Sequence, residues 1–284
     1  MDRTPLVVAA TDGSPASTDA LIEAADETAR RDAELEIVFV WEWPAHERHA
    51  GYGVALRDRV ERIRRDAVRT ARARQPGIGI RCSVVHDTPV AGLLEVAKRA
   101  DLLVVGSRGH GGFTGMLVGS VSLGLAGRAS CPVLVVRSRV PADLPVLVGV
   151  AGEDSRPAVE RACTEAESRR VGLIALHAWD FPEIPFSLLE TQGAESPYHR
   201  AQEFARYVLA AAVSPIRERH PQVPVEERVV RAGPGAALVE ASRDAGLVVL
   251  GRHRSPHHFG PRLGHVPIAL LHHAHAPLLV LPPD

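Results

Sequence analysis

Short uninterrupted runs of apolar residues alternate along this chain with longer segments in which apolar residues recur at helical spacing. The first run, Leu6 to Ala10, precedes a segment that places Ala20, Leu21, Ala24 and Ala25 on one helical face. Apolar runs without polar alternation are typical of parallel strands that are covered by helices on both sides. The pattern therefore predicts an α/β fold in which strands and helices alternate.

The alternation of strands and helices occurs twice. In the first half the predicted strands are 6–10, 35–41, 80–85, 102–105 and 133–137, and predicted helices include 54–74 and 90–100. After a proline-containing linker at 138–145, strands are predicted at 146–150, 173–179, 225–230, 247–250 and 278–281. Two copies of one domain are therefore expected, at 1–140 and 145–284, each built on a five-stranded parallel sheet and packed together through their final strands.

A glycine-rich loop follows the predicted strand 102–105 and ends where a helical pattern begins. Its glycines are Gly106, Gly109 and Gly119, and Ser120 and Ser122 follow directly. Backbone N–H groups at a helix start are unpaired and carry partial positive charge, and glycines let phosphate oxygens approach the backbone. The order strand, glycine loop, helix predicts a phosphate site. It is not a Walker loop, because no Gly-Lys-Ser/Thr sequence ends it.

A carboxylate, Asp12, follows the first predicted strand, at the edge where open α/β sheets bind ligands. The second copy differs at these positions: Ala151 stands for Asp12, Arg254 for Gly109, His265 for Ser120 and Pro267 for Ser122. A shift of the local alignment would bring Glu153 or Asp154 to the place of Asp12. Because a side chain at the Gly109 position fills space that phosphate needs, we expect a weak or empty second site that stabilises the first copy.

Composition limits the classes of function. The chain has 284 residues, of which 45% are hydrophobic and 24% charged, which suits two domains with packed cores. Its net charge of −1 disfavours nucleic acid and anionic membranes as main partners. Three widely spaced cysteines suit a reducing cytosol, the first apolar run is too short for a signal peptide, and no run is long enough to span a membrane. We expect a soluble cytoplasmic protein.

Two clusters of like residues, one of histidines and one of arginines, do not indicate a functional site. The seven histidines between His253 and His275 lack closely spaced acidic partners, which favours a solvated helix end over a metal site. The eight arginines between Arg57 and Arg74 lie mostly off the apolar stripe of their helix, which favours a solvated face, with an acidic partner as the alternative.

The sequence resembles the tandem universal stress proteins of actinobacteria over essentially its full length. The resemblance rests on VVAATDGSPAS near the start, on Gly106-x2-Gly109-x9-Gly119-Ser120, and on the duplication. In that family the glycine pattern marks the ATP-binding subgroup. The resemblance implies an adenine-nucleotide α-hydrolase-like fold with strand order 3-2-1-4-5 and helices on both faces of the sheet. That order brings Asp12 and Gly106 to one crevice.

The resemblance also implies roles for individual residues. The loop glycines, Ser120 and Ser122 would hold the phosphates and ribose, with Arg108 and Val121 in the same set. Asp12 would lie at the base or ribose side and help to hold a divalent metal through water. The backbone of Val40 would meet the adenine edge.

The function expected on this basis is nucleotide-dependent regulation of a stress response, with ATP and Mg as the ligands and no catalytic residue assigned. The first half lacks a Walker lysine, an arginine finger and an evident base for water. Alternatives left open are a binder of cyclic AMP or another adenylate, a slow ATPase or adenylating enzyme, and a purely structural interaction protein. A homodimer or another protein partner also stays open.

Overall fold

The computed structural model describes residues 3–41, 50–109, 118–180, 197–252 and 263–283, with the backbone alone for 50–57. In the first half the strands are β1 (Leu6–Ala10), β2 (Glu34–Trp41), β3 (Gly79–His86), β4 (Leu102–Gly106) and β5 (Val133–Val136). The helices of this half are α1 (Pro15–Arg30), α2 (Ala50–Arg74), α3 (Pro89–Ala97) and α4 (Ser120–Arg128).

The second half repeats this succession. Its strands are β6 (Val146–Gly149), β7 (Leu173–Trp179), β8 (Val225–Arg231), β9 (Leu247–Gly251) and β10 (Leu278–Leu281). Its helices are α5 (Arg156–Arg169), α6 (Pro197–Arg219), α7 (Pro234–Ala241) and α8 (His265–His273), with single 3-10 turns at Glu153–Ser155 and Ser242–Asp244.

Helix α3 ends three residues earlier than the sequence pattern suggests. The backbone tightens after Ala97, where the N–H groups of Lys98, Arg99 and Ala100 each donate to a carbonyl three residues back. This tighter turn brings the chain to Asp101, whose backbone N–H donates to Leu6 O at the start of β1. The helix is thus shortened by the need to enter β4 beside β1.

Within each half the sheet has the order expected from the family resemblance. The first half runs β3-β2-β1-β4-β5, and the second half runs β8-β7-β6-β9-β10, with every pair inside a half parallel. Parallel neighbours require crossover connections, and the helices between the strands supply them.

The two sheets join into one. Strands β5 and β10 pair antiparallel, Leu278 with Val135 and Val280 with Val133, and this completes a ten-stranded sheet. The expected five-stranded parallel sheet in each half and the expected packing through the final strands are both confirmed. The structure adds that the two sheets are continuous. Pairing β5 with β10 satisfies backbone groups that would otherwise form two open edges.

The core lies on both faces of this sheet. Strands β4 and β5 are buried along their whole length, and β1 is buried except at its last residue. Helices α1 and α2 cover one face, where Leu21 and Ala71 are buried. Helices α3 and α4 cover the other face, where Leu93 and Leu125 are buried. Burial on both faces explains why these strands read as uninterrupted apolar runs.

A buried ion cluster joins the two halves between α1 and α5. Glu27 and Glu165 are 1% and 2% exposed, and each accepts from both Arg31 and Arg169. Each arginine therefore binds one carboxylate of its own half and one of the other half. Burial alone would raise the pKa of Glu27, but the charges of Arg169, Arg31 and Arg30 outweigh it and lower the pKa to about 2.

The length and apolar composition of a helix decide whether it could span a membrane. Among the described residues, no helix combines the length and the apolar composition needed to cross a bilayer.

The ion cluster makes Glu27 a test of how firmly the halves are joined. Glu27→Gln removes a buried carboxylate from three guanidinium groups, so the free energy of unfolding at pH 7 should fall by about 3–5 kcal/mol. The ionised carboxylate stabilises the fold above its ordinary pKa of 4.5, and that contribution is lost as pH falls towards 2. Urea unfolding should therefore show a gap between variant and parent that narrows in acid.

The matched control is Glu61→Gln on α2, which breaks an exposed pair with Arg64 at 2.8 Å. An exposed ion pair contributes little in water, so this variant should unfold almost as the parent does. Equal losses for the two variants would contradict the role assigned to the buried cluster.

A histidine clasp holds the end of α6 to α5. His220 Nδ1 lies 2.9 Å from Glu167 Oε2, and His220 Nε2 lies 3.3 Å from Glu160 Oε1. The hydrogen bond that the protonated ring donates to Glu167 outweighs partial burial and raises the pKa of His220 above 6.5. The clasp therefore stabilises the fold below pH 6.5, and its contribution disappears as pH rises through the higher folded value.

We expect an NMR titration of the His220 ring to have its midpoint above 6.5. Glu167→Gln should move the midpoint downward, because it removes the largest stabilising contact of the imidazolium. A midpoint that does not respond to this substitution would contradict the clasp.

Candidate nucleotide site

The candidate site lies where β1 and β4 run side by side in the first half. Val7 pairs with Leu102 and Val8 with Leu103, so the carboxyl ends of both strands emerge at the same edge. From there the chain turns to opposite faces, because α1 packs on one face of the sheet and α4 on the other. The divergence opens a crevice at this edge, which is the position where doubly wound sheets bind ligands.

Asp12 and Gly109 meet in this crevice. A Cβ atom at Gly109 would overlap Asp12 Oδ2, so the carboxylate lies directly against the glycine backbone. Asp12 Oδ1 accepts the backbone N–H of Ser14 at 2.9 Å, which orients the carboxylate at the start of α1. Gly13, between Asp12 and Ser14, has a positive φ of 81°, a conformation that glycine adopts without steric cost. The structure thus brings together two residues that are far apart in sequence.

Gly106 has a packing role that its place in the glycine pattern does not reveal. It is buried, and a Cβ atom there would lie 2.7 Å from the carbonyl oxygen of Ala16 in α1. A side chain at this position would push α1 off the sheet. Its carbonyl oxygen accepts the hydroxyl of Ser122 at 2.6 Å.

The hydroxyl of Ser122 is therefore committed inside the protein. The family resemblance implies a phosphate or ribose contact for this hydroxyl, but Ser122 is 3% exposed and donates its proton to Gly106 O. This differs from the expectation, because one hydroxyl proton cannot serve two acceptors. Ser122 can offer its backbone N–H in the first turn of α4. Ser120 is exposed at the start of the same helix.

The start of α4 differs from the start of α1 at the same edge. Helix α1 is capped by Ser14, whose side chain accepts the backbone N–H of Ser17 at 3.2 Å. Ser17 is in the first turn of that helix and does not cap it. Helix α4 has Gly119 at the capping position, with no side-chain cap. First-turn N–H groups, those of Ser120 and Val121 included, are therefore not covered by a capping side chain.

Two arginines bring positive charge to this edge. Arg108 is exposed in the loop after β4, and Arg137 follows β5. Burial lowers the pKa of Arg137, and the nearby charge of Arg108 lowers it further. Like charges held close together raise the local potential and favour an anion. Arg137 is not among the residues predicted for the site. Its position directly after β5, the strand next to β4, could have indicated that it lies at this edge of the sheet.

Val40 lies at the carboxyl end of β2. The last pair between β1 and β2 joins Ala10 to Val38, and β2 then continues to Trp41. The backbone edge of Val40 that faces β1 therefore lies beyond the end of that strand. Its other edge is paired with Val85 in β3. The contact of Val40 with the adenine edge, which the family resemblance implies, stays a prediction.

The second half lacks this combination. The pairing of Val146 with Leu247 makes Ala151 the counterpart of Asp12, and its N–H donates to Ser155 Oγ at 2.8 Å. Glu153 is exposed and pairs with Arg156 at 3.2 Å. Pro267 is buried in α8, and Arg254 lies outside the described residues. Four histidines of the cluster near the end of the chain are described: His265, His272, His273 and His275. Neither they nor other described residues form a group of three or more His, Cys, Asp or Glu side chains that could hold a metal.

The fold and the crevice together define a class. Two tandem doubly wound parallel sheets, the first with a glycine loop at the reversal of strand order, match the adenine-nucleotide α-hydrolase-like fold that the family resemblance implies. Comparison over the whole chain supports this class. The crystal structure of a universal stress protein from Archaeoglobus fulgidus superimposes with a TM-score of 0.73, 16% identity and complete coverage of both chains. At that identity the likeness concerns the fold.

The chain belongs to the universal stress protein family. The family model matches it twice, over residues 6–137 and 144–282. A universal stress protein of Mycobacterium tuberculosis is 35% identical over an alignment of 288 positions that covers 96% of each protein. One from Mycolicibacterium smegmatis is 32% identical and covers 95% of each. The tandem resemblance found in the sequence is thereby confirmed.

Two loop glycines should respond differently to the same substitution. Gly106→Ala forces a Cβ atom against the backbone of α1, so it should lower the free energy of unfolding by about 1–3 kcal/mol. Gly119→Ala meets Ser107 O only at 3.4 Å and should cost less than about 1 kcal/mol. Denaturant unfolding of both variants checks this; a larger loss for Gly119→Ala would contradict the packing role of Gly106.

Proposed function

We propose that the first half binds ATP with Mg in the crevice between β1 and β4, and that nucleotide occupancy regulates a response to stress. The observation that carries this proposal is the contact of Gly109 with the Asp12 carboxylate beside the uncapped start of α4. Family membership supports the link to stress.

The phosphates are assigned to the α4 side of the crevice. A polyphosphate needs hydrogen-bond donors and positive charge. The backbone N–H groups in the first turn of α4 and at Gly109 are donors, and the Arg108 guanidinium supplies both. The missing side chain at Gly109 lets the Asp12 carboxylate lie against the loop backbone, beside the place assigned to the phosphates. The adenine is assigned to the opposite end, against the backbone edge of Val40.

The metal is assigned to Asp12 and the phosphates together. Mg in nucleotide sites is commonly held by one or two carboxylates, phosphate oxygens and water, with no all-protein cage. Asp12 fits this scheme because its carboxylate is already oriented by Ser14 N–H, and a carboxylate accepts several contacts at once. Bound Mg would neutralise phosphate charge there.

The assigned role is binding and regulation. The groups that the crevice brings together can hold and orient an anion, and a regulator whose state follows nucleotide occupancy requires no further chemistry. The second half is assigned a supporting role, because its counterpart of Asp12 is Ala151 and its counterpart of Ser122 is Pro267.

Isothermal titration with ATP and Mg tests the proposal. The intact chain should bind one ATP. Gly109→Arg, which reproduces the residue of the second copy, should weaken binding about tenfold or more, because the added side chain would overlap Asp12 Oδ2 and displace the carboxylate. Gly77→Arg is the matched control, because Gly77 is exposed and nothing lies within 4 Å of an added Cβ atom. Its affinity should equal that of the parent.

Competition separates the alternatives. Cyclic AMP should displace ATP poorly if the triphosphate is recognised, whereas equal displacement would favour a general adenylate binder. Absence of ATP binding by the folded chain would refute the proposal. Two ATP molecules per chain would refute the supporting role of the second half.

A further inference from the structure

The outer face of α6 is unusual for a helix on the surface of this protein. Among the described residues, three large apolar side chains are exposed, and two of them, Phe204 and Tyr207, lie on this helix at 67% and 69% exposure. They are one turn apart on the face opposite the buried residues Leu209 and Ile216. Large exposed apolar side chains that adjoin one another on a helix indicate an interaction surface.

The corresponding face of α2 shows that the fold does not require this pattern. The buried residues Ala212 and Ile216 of α6 correspond to Ala67 and Ala71 of α2, which are also buried. At the positions of Phe204 and Tyr207, helix α2 has exposed charged residues, Arg59 and Arg62. The aromatic pair is thus specific to the second half.

Six outward positions of α6 form a seam with the spacing of a helix–helix contact. They are separated alternately by four and three residues, which keeps them on one face: Arg200, Phe204, Tyr207, Ala211, Ser214 and Glu218. Large side chains occupy the first half of the seam, and small ones occupy the second half.

We propose that this seam is a self-association surface on which the α6 helices of two copies pack antiparallel, about a two-fold axis that crosses the seam at the level of Leu209 along the helix. That axis places Phe204 opposite Ser214 of the second copy and Tyr207 opposite Ala211 of the second copy. Large side chains then meet small ones at every apolar layer. An isologous contact of this kind closes at the dimer.

Charge at the ends of the seam selects the same partner and register. The axis places Arg200 of one copy opposite Glu218 of the other, and the symmetry repeats the pair. Neither side chain forms an ion pair or hydrogen bond within the part of the chain that the structure describes. Other charges on α6 are paired within the chain, Arg217 with Glu227 and Arg219 with Glu160.

The proposed contact buries a small area. Each aromatic side chain can bury about 150–250 Å². One helix pair therefore stays at the low end of the areas found in specific interfaces, which is characteristic of weak, reversible association. The dimer should form and dissociate with protein concentration.

Sedimentation velocity of the full chain from about 10 µM to about 1 mM tests the proposal. The parent should shift from monomer to dimer, and Phe204→Arg with Tyr207→Arg, which copies the residues of α2, should weaken association more than about tenfold. Arg59→Ala with Arg62→Ala on α2 is the control and should leave the shift unchanged. Thermal unfolding checks that all variants fold.

A charge exchange tests the register. Arg200→Glu and Glu218→Arg should each weaken association severalfold, because each puts like charges opposite one another, and the two together should restore it. A chain that stays monomeric, association that survives the aromatic double variant, or absence of rescue would overturn the proposal. A monomer that binds anionic vesicles through Phe204 and Tyr207 would also overturn it, in favour of a membrane contact.

Discussion

The parallel pairing of β4 with β1 is the constraint on which the candidate site depends. Strand order reverses at this point, with β2 on one side of β1 and β4 on the other. The helices that follow β1 and β4 therefore pack on opposite faces of the sheet, and the two connecting segments diverge. A crevice opens between them, and Gly106 lets α1 pack closely enough against the sheet to form its wall. Gly109 and Asp12 then decide what the crevice can hold, since the glycine leaves room for the carboxylate and the carboxylate supplies charge.

The same geometry in the second half shows what happens when those residues change. Strands β6 and β9 pair as β1 and β4 do, so the crevice is repeated in the backbone. Because β5 and β10 pair antiparallel, the carboxyl ends of the two sets of strands point to opposite edges of the joined sheet. The two crevices therefore cannot share one ligand, and each half has to be understood from its own residues.

Duplication also explains how the halves are held together. The pairing of β5 with β10 extends one sheet through both copies, and the carboxylates of Glu27 and Glu165 share Arg31 and Arg169 across the junction. Glu27 and Glu165 lie on corresponding helices, as do Arg31 and Arg169 at their ends, so the cluster has the symmetry of a dimer within a single chain. With its sheet junction satisfied internally, the chain has other surfaces, the outer face of α6 among them, for contacts with further molecules.

The amino-acid sequence by itself determined the alternation of strands and helices, the duplication, the strand order through a family resemblance, and the glycine loop with Asp12. These properties follow from the local spacing of residue types. A buried strand, for example, can be predicted from the four apolar residues Leu102 to Val105 alone. Only the tertiary structure decided that Gly106 serves packing against Ala16, that the Ser122 hydroxyl is bound to Gly106 O, and that Arg137 stands beside Arg108. It also decided that the two sheets are one and that ion pairs cross between them. The physical reason is that each of these features depends on a distance between residues remote in sequence, and such distances are fixed when the helices pack on the sheet.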